Sequence, residues 1–409
     1  MICLKKWRKN DRNRKSLRRC FISAICLLAI FVFAAREGMV CSVDYRIWMP
    51  RDRQADPLYR FISNGLTGYI DQSGKVVIEP IFAQRGNYGG EFRNGLMEIG
   101  ISSGTYVDTT GKLVIDKGLY RGWDFSEGLA VAMQNNGEKW GYIDRTGEFV
   151  ISPRFEPYPN GGVSSFSDGL AMIEVSGRYG YINRSGKFVI QPTFLQGADF
   201  QDGMARVVVD GPCRHLGDGI CDLLQTLSKE EELPDCKYAF IDKSGSIITN
   251  EQYDRAKHFS EGLAPVQIGM KWGFIDKKGK MVIEPQFDWA EPFSDGLALI
   301  RQNDLNGYID KSGVIVIKPQ YKLAEPFSEG FTVVGTWLDS KSGYSEYEFY
   351  YINKQGKQAF PERFAEASHF FKGLAHVKMK SNAGKNKNNT DAKGSFAYID
   401  ATGRKVFTY

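Results

Sequence analysis

Histidine is scarce. The four in 409 residues (His215, His258, His369 and His376) stand at no spacing that suits a metal site or a catalytic triad. The chain also lacks a Walker loop, a Rossmann fingerprint and a G-x-S-x-G elbow. Those absences exclude the common nucleotide, nicotinamide and serine-hydrolase chemistries, so no enzyme, no cofactor and no metal are expected. Helix-length periodicity is missing inside the greater part of the chain. What is abundant instead is aromatic residues at 13% and 44 glycines, the composition of many short strands joined by tight turns.

An excess of positive charge is lacking too, once the charge is located. Residues 1–35 hold nine Lys or Arg against Asp11, a charge of +8; the whole chain carries +5, which leaves −3 for residues 36–409. A slightly acidic body has no electrostatic footprint for nucleic acid.

The basic stretch precedes sixteen residues without a charge, 20–35 (CFISAICLLAIFVFAA). As a helix they reach about 24 Å, slightly short of a hydrocarbon core of about 30 Å. They read as a transmembrane anchor or as the core of a cleaved signal peptide. The positive-inside rule then puts the N-terminus in the cytoplasm and everything after residue 36 outside it. The expected location is the cell envelope, anchored in the cytoplasmic membrane through this N-terminal segment only, or secreted after cleavage.

The rest is a repeat. Gly-Tyr-Ile-Asp-x-x-Gly occurs as Gly68 to Gly74, Gly141 to Gly147, Gly180 to Gly186 (with Asn183), Gly273 to Gly279 (with Phe274) and Gly307 to Gly313. Shorter forms end on Gly111, Gly245, Gly356 and Gly403, which makes nine units. In residues 294–327, Leu297 to Arg301, Gly307 to Asp310 and Val314 to Ile317 predict three strands. Asp310-Lys311-Ser312-Gly313 predicts a tight turn, and Pro319 is expected to stop the third strand. The three-residue spacing of Tyr321, Ala324 and Phe327, repeated at Phe287, Ala290, Phe293 and at Tyr253, Ala256, Phe259, predicts a helical turn or 3₁₀ connector.

One three-stranded meander buries too little to stand alone, so the array is the folding unit. The organisation expected is a leader at 1–36, a linker at 37–57 and a β-repeat array at 58–409 interrupted at 210–237 and 380–395. Nine units exceed the usual four to eight blades, and no sheet looks split between the two ends. An open superhelical or arc-like solenoid is therefore favoured over a closed β-propeller.

Lys139-Trp140-Gly141-Tyr142-Ile143-Asp144 and Lys271-Trp272-Gly273-Phe274-Ile275-Asp276 resemble the WG (or KWG) repeat, as does the F-S-x-G-L-A element at Phe125, Phe166, Phe259 and Phe293. The resemblance covers residues 58–409. It implies an all-β, chiefly bacterial family without established catalytic activity, regarded as an interaction scaffold. Protein or peptide partners are the leading expectation. A carbohydrate or peptidoglycan-binding module is the alternative, for which Trp123, Trp289 and Trp337 are the candidate ligand-contacting aromatics.

Outside the cytoplasm, two of Cys213, Cys221 and Cys236 are expected to pair, with Cys41 available for the third. Glu127, Asp168, Asp202, Glu261, Asp295 and Glu329 each precede a turn glycine, and stacked units would bring them to one edge as an acidic row. Turn preference explains them, with binding of a cation or a basic peptide as the sharper reading.

Overall fold

The geometry of each unit starts at the turn after Gly-Tyr-Ile-Asp. Asp310 Oδ1 accepts Ser312 N–H at 2.9 Å, the Ser312 hydroxyl at 2.6 Å and Val314 N–H at 3.1 Å. Gly313 closes the turn at φ +87°, a left-handed conformation that glycine takes without strain. The same oxygen serves at Asp71, Asp108, Asp144, Asp242 and Asp400, and an amide oxygen replaces it at Asn183. A short acceptor side chain is what the position requires, as the sequence predicts.

The computed structural model describes residues 58–83, 91–99, 104–134, 139–157, 161–210, 237–249, 253–338, 346–380 and 395–409. The leader, the linker and most of the insertions lie outside them, as do Cys41, His215, Cys213, Cys221 and Cys236. Among the described residues every regular element is a strand, and they form nine antiparallel sheets. Five sheets have four strands and four have three.

The seventh sheet is the clearest. Its strands are Trp289–Ala290, Ala298–Gln302, Leu305–Ile309 and Ile315–Tyr321, hydrogen-bonded in that order. The expected three-stranded meander thus gains a short leading strand. Ala290 and Phe293 are not on a helical turn: Ala290 pairs with Ile300, and Phe293 leads into the hairpin Ser294-Asp295-Gly296-Leu297. Their even spacing arises because the chain crosses from one sheet to the next between Phe287 and Trp289.

Pro319 does not stop its strand either. Tyr308 pairs with Ile317 and Asn306 with Tyr321, so two residues on one side face four on the other, and the bulge accommodates the proline. The bulged strand comes so close to its neighbour that a Cβ on Gly307 would stand 2.6 Å from both Ile317 O and Pro319 N. That contact accounts for the glycine of the Trp-Gly pair.

The sheets close into a ring, a nine-bladed propeller rather than the open array favoured from sequence. Most turn glycines pack on the last strand of the preceding sheet: Gly111 on Ile78, Gly186 on Ile151, Gly313 on Ile283, Gly356 on Ile317; Gly279 and Gly403 meet Ile248 and Phe360 of that sheet outside its strands. The series ends on Gly74 against Val406, which joins the first sheet to the ninth. No split blade is needed, because whole sheets meet through the contact used everywhere else.

Between the sheets lies the core. Tyr106, Tyr142, Tyr181 and Tyr308 meet Phe125, Phe166, Phe200 and Phe327 of the following sheet edge-on, at 4.8–5.2 Å between ring centroids. Their hydroxyls donate to the carbonyls of Trp123, Ser164, Ala198 and Glu325 at 2.7–2.8 Å. Burial pushes the phenols of Tyr106, Tyr142 and Tyr308 well above the usual tyrosine range, so they remain donors at any physiological pH.

Candidate functional site: two unlike faces of the ring

Antiparallel order assigns the links to faces. In the seventh sheet the hairpin Ser294–Leu297 and the turn Asp310–Gly313 leave from the same ends of the strands, whereas Asn303-Asp304, joining the second strand to the third, leaves from the other. The two faces differ in chemistry.

On the first face the recurring polar groups bond from sheet to sheet. Ser126, Ser167, Ser260, Ser294 and Ser328 donate their hydroxyls to the carbonyls of Phe166, Phe200, Phe293, Phe327 and Phe370 at 2.6–2.7 Å. The acidic row does form, and its carboxylates point at the next hairpin. Asp168 accepts Gly203 N–H at 2.6 Å, Asp202 accepts Gly262 N–H at 2.6 Å and Asp295 accepts Gly330 N–H at 2.5 Å. Glu127, Glu261 and Glu329 do the same toward Gly169, Gly296 and Gly373. Lys277, Lys311 and Lys354 of the D-x-x-G turns pair with Asp202, Glu261 and Asp295 at 2.5, 3.1 and 2.7 Å. The row is therefore a belt of charge-assisted hydrogen bonds between neighbours. Its residues sit at φ +52° to +56°, which makes each hairpin a primed two-residue turn.

The second face carries the variation. The link from second to third strand is two residues long at Ser176-Gly177, Gly269-Met270 and Asn303-Asp304, as is Asn64-Gly65 between the first two strands of the three-stranded first sheet. The same link runs from Asp210 to Lys237 in the fifth sheet, from Leu338 to Glu346 in the eighth and from Lys378 to Phe396 in the ninth. Bordering these links and the chain crossings beside them are exposed apolar side chains: Leu66, Val175, Ile268, Leu323, Met270 at 81% exposure and Trp337 at 54%.

The three candidate tryptophans are far from equivalent. Trp337 meets Tyr347 edge-on at 5.3 Å, with about half of its surface exposed. Trp123 lies against Trp140 at 5.6 Å, with 39% of its surface exposed. Trp289 is engaged within the protein: Lys257 Nζ lies 3.9 Å from its ring centre, and its Nε1–H donates to Glu291 Oε1 at 2.7 Å. Lys257 in turn pairs with Glu291 at 2.6 Å, a cluster that links the sixth and seventh sheets. Sequence reasoning missed it, since its members lie on different sheets. Trp140 and Trp272, the two tryptophans of the complete Trp-Gly motifs, are core residues.

Among the described residues no three His, Cys, Asp or Glu gather as a metal site. Burial, with Arg206 and Lys257 nearby, lowers His258 to about 4; burial, with Arg60 nearby, does the same for His376, whose Nε2 lies 2.8 Å from the Tyr409 hydroxyl.

A family model described as WG containing repeat matches residues 68–96, 105–137, 140–179, 179–211, 238–272, 272–305, 307–335 and 351–382. Comparison with curated proteins found no match. Similar solved structures include the eukaryotic initiation factor (12% identity, TM-score 0.55, covering 87% of this chain and 96% of that one). They also include apo AztD from Citrobacter koseri (13% identity, TM-score 0.36, covering 74% and 90%). A third is the dihydro-heme d1 dehydrogenase NirN in complex with DHE (12% identity, TM-score 0.39, covering 88% and 74%). The first likeness concerns the fold alone, and the other two are too distant to add to it.

Proposed function

Because the chain belongs to the WG-containing repeat family and its nine sheets close into a ring, we propose that it is a non-enzymatic interaction scaffold for protein or peptide partners. The partner lies on the face from which the second-to-third-strand links emerge. One contrast supports this reading. The opposite face uses its recurring polar groups to join neighbouring sheets, while this face combines every long link with exposed Met270, Trp337, Ile268 and Val175. Apolar side chains rimmed by polar loops suit partner binding rather than solvation alone. We further propose that residues 20–35 hold the ring at the outer side of the cytoplasmic membrane.

The test is a loop exchange. Proximity labelling in the cell envelope compares the native chain with one whose links at 211–236, 339–345 and 381–394 are replaced by Asn-Gly. Loss of the labelled partners with an unchanged melting temperature supports the reading, and an unchanged set of partners overturns it. Glycan binding is the second reading, favoured by the open ring of Trp337. It requires that Trp337→Ala abolish retention on isolated cell wall.

A further inference from the structure

In three sheets the residue next to the second-face link carries a cation that pairs across the strands. Lys139 meets Glu156 at 3.0 Å in the third sheet, Lys237 meets Asp254 in the fifth, and Lys271 meets Asp288 at 2.6 Å in the sixth. The members of the first and last pairs stand opposite each other, one residue beyond Trp140 with Phe155 and Trp272 with Phe287. In the fourth sheet Arg178 has the lysine's place and donates to the Thr193 carbonyl at 3.0 Å. A long cationic side chain thus spans the strand pair in the third to sixth sheets.

The seventh sheet breaks the pattern. One residue beyond its pair Asn306 with Tyr321, the same two places hold Leu305 and Lys322. Beside the leucine lies a groove of about 410 Å³, open to solvent and lined by Gln302, Asn303, Leu305, Ile315, Lys318 and Pro319. Leu305, Ile315 and Pro319 make it apolar on one side. Lys318 supplies its charge, and Lys322 stands next to it, its carbonyl accepting the Asn306 side-chain amide at 3.0 Å. Among the described residues no carboxylate pairs with either lysine. Asp304 follows Asn303 in the hairpin but does not line the groove. In the first sheet Leu66 has the leucine's place, but Glu79 and Ala83 stand where Lys318 and Lys322 do.

We propose that this groove takes an acidic segment of a partner polypeptide, with an apolar side chain on Leu305, Ile315 and Pro319 and a neighbouring carboxylate at Lys318 and Lys322. The partner supplies the carboxylate that Glu156, Asp254 and Asp288 supply in the other sheets. Gln302 and Asn303 belong to the face assigned above to partners, and the choice of a polypeptide as occupant rests on that reading.

The probe is a fluorescein-labelled peptide of alternating leucine and glutamate, titrated against the full chain by anisotropy beside the same peptide with glutamine for glutamate. The double variant Leu305→Lys with Lys322→Asp installs the ion pair that the sixth sheet already carries, so its melting temperature should stay native. Lys318→Glu, at an exposed side chain, is the second variant. The expected result is saturable binding of the glutamate peptide, at least tenfold weaker for the glutamine peptide and for each variant. No saturable binding, equal affinity for the two peptides, or native affinity in either variant overturns the proposal. Saturable binding of dodecanoate without binding of the peptide overturns the choice of a polypeptide. None of the exchanged links 211–236, 339–345 and 381–394 lines the groove, so the loop-exchanged chain should bind the peptide with native affinity. Loss of partners there and loss of peptide binding here are therefore read separately.

Discussion

Gly74 lies so close to Val406 that a Cβ on it would stand 2.6 Å from the Val406 carbonyl oxygen. Gly313 likewise meets the preceding sheet inside the array, there at the Ile283 side chain from 3.2 Å, so the closing contact is the tighter one. Ring closure thus needs no special device; it is one more use of the D-x-x-G turn.

Gly74→Ala is predicted to loosen the ring at its closing interface. The new methyl group meets main chain that cannot swing away, and φ +88° disfavours any L side chain. The expected cost is about 2–4 kcal/mol, from overpacking plus left-handed strain. Gly169→Ala, at φ +83° with open space around it, should cost only about 1 kcal/mol by the strain term alone. Urea denaturation of both variants checks the difference, and equal losses would show that crowding at the closing interface does not matter.

Tyr59 helps to join the first sheet to the ninth. Its position is held by Ala298 in the seventh sheet and Ala264 in the sixth. Here the larger Tyr59 ring meets Tyr398 at 5.5 Å, and its hydroxyl donates to the Lys372 carbonyl. Tyr59→Ala should therefore cost about 3–5 kcal/mol as a large-to-small core change. Tyr59→Phe should cost about 1 kcal/mol, the worth of the hydrogen bond. Chemical denaturation of the pair separates ring from hydroxyl.

Local chemistry was legible in the sequence, and chemistry between sheets was not. Asp310 to Gly313 is a four-residue event whose acceptor and glycine are both spelled out. Ala290 and Phe293 mislead because spacing along the chain says nothing about a crossing between sheets. Pro319 misleads because a bulge is invisible without its partner strand. The destination of the acidic row depends on the distance from Asp295 to Gly330 of the next sheet, which only the closed ring brings to hydrogen-bonding range. The favoured open array failed for the same reason, since the angle between sheets is set by contacts such as Gly313 on Ile283.

Acid should unfold the ring through its turns. The Ser312 hydroxyl, then the N–H groups of Val314 and Ser312, hold Asp310 below the usual carboxylate range. Asp71, Asp108, Asp144 and Asp242 are lowered in the same way. At Asp400 burial is the largest single influence and raises the carboxyl, but the combined hydrogen bonds from Thr402 and Arg404 outweigh it and bring it to about 2. A folded-state pKa below the unfolded one gives stability that is complete above about pH 4 and fades as pH falls toward 2. Thermal melts from pH 6 to pH 2 should show the loss concentrated below pH 4. Asp310→Asn, which keeps the acceptor as Asn183 does, should flatten that slope.

Glu325 should have the opposite pH dependence. Its carbonyl accepts the Tyr308 hydroxyl at 2.7 Å and the Thr332 hydroxyl at 2.5 Å, which fixes its main chain at the interface of the seventh and eighth sheets. Burial raises its carboxyl from 4.5 to about 7. Glu291, at the corresponding place in the seventh sheet, has Lys257 at 2.6 Å, whereas among the described residues no ion pair relieves Glu325. Because the folded pKa exceeds the unfolded one, the neutral acid is stabilising below about pH 4.5, and that contribution is lost as pH rises through 7. Glu325→Gln should therefore match the native chain near pH 5 and exceed it at pH 8 by up to about 3 kcal/mol, the equivalent of the shift. Urea denaturation of both proteins at the two pH values measures the difference. An equal gap at pH 5 and pH 8 would mean that the carboxyl titrates alike in both states and that its burial imposes no penalty.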